Sequence, residues 1–513
     1  MSQGQLNLQR EIAGVKTGTA DVPSANLARH ERVASYGQTA DEMPAVPVVP
    51  VPPTRLSATD AFFVAYQQRA GILMQLGGEV DLAGRLEREH LEQMILHIVR
   101  RWPRLGQRLK RSLFGLKWNG SCRVDEMLRI GNRQNGGLTG WRNEPIDPFR
   151  DPPFQVLWIP PHQASSACEY HDLNCESHTI AFRAHHSVMD GESLVAVTAD
   201  AVPFLTELSI GKQSPTPEPK RATTLKDLVS VKQLLRRRRL GEMFRYTRWL
   251  AAEARAPRST RIACEAFATG DTQLCERRLD SAAFTRLKKR ATATRTAASW
   301  LAAAAWMRAI HASNLGAGAE AASNSIVSLE FPVSLRRGLG IESRHSDHDV
   351  LGNFISPLVV FGDAAEPLEP LARKLRKQVM QGIRSQSHWG TPLVTAPGKF
   401  LPWSIFRRVA VSPRTTGFAT SHFTWFEQAD ACANIARISD GALRVTGQRI
   451  YTPVCLHMGA ALVLLASSDY AQIFLTYRQT AFSNDAAERL IDLMVAELES
   501  DGDGDGGGAP REE

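Results

Sequence analysis

The chain has 513 residues, 43% of them hydrophobic, enough for two domains or one large one with a sizeable core. Its net charge of +8 is local, because Lys226 to Arg261 holds eleven basic and three acidic residues; the near-neutral remainder argues against a nucleic-acid-binding surface. No apolar run approaches the roughly 18 residues of a spanning helix. The polar start has no signal-peptide pattern, and 7 scattered cysteines form no disulfide framework, so the expected location is cytoplasmic.

Residues 1 to 55 lack hydrophobic periodicity and end in a Pro-rich run from Pro44 to Pro53, read as a disordered tail or a docking strap. Structure is predicted from Leu56. Ser57 is a capping residue ahead of Asp60, Phe62 and Phe63, and Met74 to Val80 reads as a strand. Leu86 to Arg101 has Leu91, Met94, Ile95, Ile98 and Val99 at helical spacing and stops ahead of Pro103. Pro153 to Ile159 and His178 to Ala184 read as paired strands. Between them Cys168, His171, Cys175 and His178 invite a zinc reading, but the spacing fits no strong zinc pattern; a polar hairpin loop and no metal are expected.

The second of those strands runs into Ala184-His185-His186-Ser187-Val188-Met189-Asp190-Gly191, where the sequence spells out chemistry. A helix follows from Glu192, so the motif sits on a strand-to-helix turn. Gly191 is read as permitting unusual backbone angles there. Asp190, beside the helix start, is favoured by capping and the helix dipole. Histidine takes and returns a proton near neutral pH, so one of the pair can serve as general base on a hydroxyl or amine. The other can hold the turn, and Asp190 is expected to pin the loop through an arginine.

Gly211 to Pro219 reads as a linker. The basic stretch 226–261 interleaves arginines with Leu234, Leu235, Leu240, Met243, Phe244, Trp249 and Leu250. Three readings stay open: a solvated crossover helix, peripheral contact with a membrane or lipid surface, or a site for CoA phosphates. A second domain is predicted from Gln273 to Leu279 onward. It has helices over Ser281 to Ala291 and to about Ala312, strands over Val445 to Tyr451, Ala460 to Ser467 and Gln472 to Tyr477, and a last helix over Ala486 to Leu498. The Asp- and Gly-rich tail, 501–513, is read as disordered.

His185-His186-Ser187-Val188-Met189-Asp190-Gly191 resembles the signature of the CoA-dependent acyltransferase superfamily. That group includes condensation domains and the wax ester synthase/diacylglycerol acyltransferases. The resemblance implies an α/β (α+β) fold of two chloramphenicol-acetyltransferase-like lobes, each a mixed sheet with helices, with an active-site tunnel between them. Lobes over 56–210 and 271–500 are joined by a crossover at 211–270.

It also implies His186 as base and His185, Asp190 and Gly191 as structural. Trp102 to Leu109 resembles a passage seen across the superfamily and makes Arg108 one candidate partner for Asp190. Phe331 to Arg337 resembles a second-lobe strand and offers Arg336 or Arg337. Leu351 to Leu358 resembles another and places Asn353 at the lobe interface, satisfying backbone groups or touching substrate. Gly417 to Phe423 resembles a strand near the tunnel and makes Thr420 and Ser421 candidate oxyanion donors.

The Ser57-x-x-Asp60-x-x-Phe63 opening and the two second-lobe strands are similar to wax-ester-synthase-type enzymes. Where those carry an Asn-Asp pair, this chain has Ala298-Ser299. The implied activity is acyl transfer from acyl-CoA to an alcohol, such as a long-chain alcohol or diacylglycerol, with no bound cofactor. A stand-alone condensation-type enzyme using an acyl carrier protein, and a non-catalytic binding or scaffold relative, are the alternatives.

Overall fold

The computed structural model describes residues 53–500 apart from 113–114, 133–136, 162–176, 213–240, 242–243, 246–247, 250–251, 253–257, 267, 319–323, 337–350, 396–397, 399–400, 411–418, 428–442 and 456–457. The tail 1–52, the zinc-spaced Cys168, His171 and Cys175, most of the basic stretch, Arg337 and the tail 501–513 therefore lie outside the described residues.

The first described strand lies two residues ahead of the start that the sequence suggests. Strand β1 (Thr54–Arg55) pairs antiparallel with β4 (Gly115–Asn119), which also pairs with β3 (Arg108–Ser112) to make a small sheet. Helix α1 (Ala58–Ala70) starts where Ser57 and Asp60 satisfy each other's backbone amides in a capping box, and it ends at Gly71 with φ 67°.

The first large sheet holds β2 (Gln75–Gly84), β5 (Leu128–Ile130), β6 (Phe154–Ile159), β7 (Ser177–His185) and β12 (Leu443–Tyr451), in the order β12-β2-β7-β6-β5. The side-chain period of two puts Ile180, Phe182 and Ala184 of β7 on one face. There they pack beneath α2 (Arg88–Arg101) and α3 (Gly191–Ser209), against Leu91, Met94, Ile98, Leu194 and Val197.

The second sheet, of order β10-β9-β11-β13-β14-β8, holds β8 (Thr272–Leu279), β9 (Ile326–Ser334), β10 (Ile355–Asp363), β11 (Ser421–Glu427), β13 (Ala460–Ala466) and β14 (Ala471–Arg478). One face is covered by α4 (Ser281–Ala293), α5 (Ala298–Gly316), α6 (Leu368–Arg384) and α7 (Asn484–Glu499). Trp306, Leu329, Phe331, Phe423, Leu462, Leu475 and Leu490 are the middle of that core. The opposite face of this sheet turns toward the first sheet. Phe426, Val463 and Phe474 cluster there with Ile450 of β12 and Val195 of α3.

The division into 56–210 and 271–500 needs one correction. The segment 443–451 is a strand, as its alternation suggests, but it does not join the second sheet. It pairs antiparallel with β2, from Leu443 opposite Gly84 to Tyr451 opposite Gly77, with an irregularity between Val445 and Gly447. The reason is local space. A Cβ at Gly77 would overlap the Tyr451 ring and lie 2.6 Å from the Phe182 carbonyl oxygen, so only glycine lets that ring lie over the strand. A second correction concerns Leu351 to Leu358. The strand starts only at Ile355, and Gly352 to Phe354 wrap the motif turn instead. Among the described residues, no helix is long and apolar enough to cross a membrane.

Candidate active site

The motif turn leaves β7 at His185 and enters α3 at Gly191. The Asp190 side chain caps the helix by accepting from the Ser193 amide at 2.8 Å. Gly191 is the first helical residue and is not among those with positive φ; that role falls to Gly352, at φ 151°, across the turn. The Gly352 carbonyl accepts from the Asp190 amide at 3.2 Å and from Ser193 Oγ at 3.0 Å, so a bend in the second half of the chain closes over the motif.

Asp190 is fully buried, and its charge is met by Arg336. Nη1 lies 2.9 Å from Oδ2 and Nη2 2.9 Å from Oδ1, a parallel fork. The Phe354 amide adds a donor at 2.9 Å. Arg336 also reaches Glu192 at 2.7 Å and Ser193 Oγ at 2.8 Å. Burial pushes the Asp190 carboxyl up, but Arg336 and the amides outweigh it and hold it below the usual range. Of the three arginines expected to compete for Asp190, Arg336 makes the contact. Arg108 is a correction: it donates to Glu126 at 2.7 Å and to the Arg150 carbonyl at 2.7 Å, beside the small sheet. Arg337 lies outside the described residues.

His185 and His186 have opposite surroundings. His185 Nδ1 accepts from the Ser187 amide at 3.1 Å and contacts Ser187 Oγ at 2.7 Å, which folds the turn on itself. Burial takes its pKa down to about 3, so it stays neutral. His186 Nδ1 faces Asn353 Oδ1 at 3.0 Å, and its ring stacks on Phe63 with centroids 4.0 Å apart and planes 9° apart.

Asn353 cannot be turned over. Its Nδ2 donates to the His186 carbonyl at 2.6 Å and to Asp60 Oδ1 at 2.9 Å, both of which only accept. Its Oδ1 therefore accepts from His186 Nδ1–H, and the lone pair resides on Nε2. No hydrogen bond occupies Nε2 among the described residues. Burial lowers the His186 pKa, with Asp190 and Asn353 pulling the other way, so the ring is a neutral base.

Asp60 completes the line. It is fully buried; burial raises its carboxyl, and Arg104 and the Asn353 amide oppose that rise. Asp60 and Phe63 are three residues apart on α1, on one helix face, so one turn of helix supplies both the anchor for Asn353 and the stacking partner of His186. The sequence contained the signal, a Ser-x-x-Asp-x-x-Phe segment, but only the fold gives it a role.

Thr420 and Ser421 are a further correction. Thr420 Oγ1 donates to the Thr260 carbonyl at 2.6 Å, and Ser421 Oγ accepts from Trp306 Nε1 at 3.0 Å and donates to the Ala460 carbonyl at 2.9 Å. Both hydroxyls stitch the second sheet to its surroundings, and neither is aimed at an oxyanion. The next residue, His422, lies on the other face of β11, with Nε2 2.7 Å from Thr424 Oγ1. No group of His, Cys, Asp and Glu among the described residues has the arrangement of a metal site.

No protein-family model matches the sequence, and no curated protein matches it. Solved structures do share its fold. The condensation domain of the Monacolin K polyketide synthase MokA superposes with a TM-score of 0.60 at 10% identity, over 88% of this chain and 97% of that one. The trichothecene 15-O-acetyltransferase TRI3 from Fusarium sporotrichioides does so with 0.61 at 12%, over 87% and 95%. The starter condensation domain of rhizomide synthetase RzmA, solved with C8-CoA and Leu-SNAC, gives 0.57 at 12%, over 87% and 95%. The chain thus has the mixed α/β fold of these condensation-domain and acetyltransferase structures.

Proposed function

We propose that the protein transfers an acyl group from a thioester to an alcohol, with His186 as general base. The observation that carries this is the fixed tautomer. Asn353 holds the Nδ1 proton, and Nε2 is left as the accepting nitrogen of a buried, neutral imidazole. Nε2 removes the proton from the acceptor hydroxyl. The alkoxide oxygen attacks the thioester carbon and forms a tetrahedral intermediate. The C–S bond then breaks, and Nε2–H returns the proton to the departing thiolate. The imidazolium present in between is favoured by the Asp190 charge and the Asn353 oxygen. Asp190, Arg336 and His185 keep the turn in shape and touch no reacting atom.

The donor we favour is acyl-CoA, and the sequence resemblance names long-chain alcohols and diacylglycerol as the first acceptors to try. RzmA, a structural neighbour, was solved with C8-CoA, and TRI3 is an O-acetyltransferase, which supports this choice. A second reading, a carrier-bound donor with amide or ester formation, is favoured by the condensation domains among the neighbours.

The test is thiol release from acyl-CoA with and without an acceptor, beside His186→Ala. Acceptor-dependent release that falls by about 10²-fold or more in the variant is the expected result. Release only from a carrier-bound donor selects the second reading. No release from either donor, with acyl-CoA still bound, overturns acyl transfer and leaves a binding protein.

A further inference from the structure

Taking a proton turns His186 into a cation inside a packed interior, and a desolvated cation is costly unless something negative or polarisable faces it. In the plane of the ring, Asn353 Oδ1 faces Nδ1. Over the face of the ring lies Phe63.

The two ring centroids are 4.0 Å apart with 9° between the planes, and each residue is 3% exposed. Uncharged aromatic pairs settle offset or edge-on, with centroids roughly 4.5–7 Å apart, because the ring faces carry like partial charge. A cation over a ring face is instead attracted by the quadrupole, most strongly where water is excluded. The close, nearly parallel contact of Phe63 and His186 thus suits the protonated imidazole better than the neutral one.

Both rings are held in place. Asn353 grips His186, whose own amide donates to the Met74 carbonyl at 2.7 Å. Phe63 stands one turn after the capping box of α1 and belongs to the buried cluster of Tyr66, Met74, Phe406 and Met458. Phe62 is set against it at 76°, with centroids 5.8 Å apart. Among the ionisable groups around the imidazole, Asp190 favours its charge and His422 of β11 opposes it. His185 stays neutral, and Asp60 reaches only the far side of Asn353.

We propose that Phe63 is a positioning residue of the base: its ring face carries the imidazolium while Nε2 holds the acceptor's proton, between removal from the hydroxyl and return to the thiolate. This rests on the acyl-transfer reading and adds to it the means by which a desolvated histidine stays able to take a proton. A Phe63 that only filled space would act through its bulk and not through the charge on its face.

The experiment separates the two by replacing Phe63 with its mono-, di- and pentafluoro analogues, which keep the ring and progressively drain negative charge from its face. The ring nitrogen NMR signals of His186, assigned by their loss in His186→Ala, are followed against pH, and thermal unfolding checks that each form is folded. The His186 midpoint is expected to fall step by step along the series, by about one pH unit at pentafluoro, a tenfold loss of proton affinity. With octanoyl-CoA and octanol, kcat should fall in the same order while KM stays level.

A midpoint that stays level across the folded members of the series, or a native His186 that takes no proton before acid unfolding, overturns the proposal. The titration needs no turnover, so the two readings fail separately. A graded fall of the midpoint without transfer from any donor supports the stack and overturns acyl transfer. Transfer with a level midpoint leaves acyl transfer standing and overturns the role of Phe63.

Discussion

Asn353 Oδ1 lies 3.0 Å from His186 Nδ1, and the same side chain donates to the His186 carbonyl, so one amide grips both the ring and the backbone of the histidine. The grip spans 167 residues of sequence and is fixed from behind by Asp60. Asn353→Ala should lower kcat by about 10–10²-fold with little change in KM, because the imidazole loses its tautomer and orientation but the substrate contacts remain. Asn353→Asp should lower the rate as well, because its second oxygen would replace the donor to the His186 carbonyl and Asp60 Oδ1 with another acceptor. An unchanged kcat in Asn353→Ala would remove Asn353 from the positioning of the base.

The protonation state of His186 predicts the pH profile. A base must be neutral, and burial holds the His186 pKa below the ordinary 6.5. The rate therefore falls only as pH drops through that lowered value. The acid limb of kcat/KM is expected at a midpoint below 6.5 and should be missing from the residual activity of His186→Ala. A limb centred above 6.5 would contradict a desolvated imidazole.

Asp190 and Arg336 are both essentially unexposed, and Arg336 is the cation that meets the Asp190 charge. Removing Arg336 leaves the buried Asp190 carboxylate without its cation, whereas removing Asp190 leaves Arg336 with Glu192. Arg336→Ala should cost about 3–5 kcal/mol in urea unfolding, and Asp190→Ala less. The double variant should cost less than the sum, because neither charge is then stranded. Additive losses would mean that the two side chains do not act as a pair.

Gly77 offers a test of the strand exchange. Gly77→Ala places a methyl against the Tyr451 ring and the Phe182 carbonyl. It should destabilise the protein by roughly 1–3 kcal/mol or more. Amide exchange should quicken over 443–451 before it does in β13 or β14. Exchange that quickens equally in both sheets would show that β12 is not held by this contact.

Much of the site was legible because it is local. His185, His186, Asp190 and Gly191 fall within one turn, and the helix that Asp190 caps is announced by the apolar spacing after it. The helix that stops at Pro103, the last helix, and the pairing of 154–159 with the motif strand are likewise set by periods and breakers within a few residues. Alternation even marks 443–451 as a strand, because alternation depends only on which faces are buried.

Partners are another matter. Arg108 and Arg336 are equally plausible mates for Asp190 in sequence, and only the closure of the bend at 352–354 over the turn chooses Arg336, 146 residues away. The same closure makes Asn353 the holder of His186, and β12 joins the first sheet although the chain around it builds the second. A side chain's chemistry is fixed by its type. Which group it meets is set by long-range packing, where a single atom pair leaves no periodic trace. The sequence by itself therefore determined the motif, its turn and the type of chemistry, whereas the tertiary structure alone decided the tautomer of the base, the partner of Asp190 and the sheet that β12 joins.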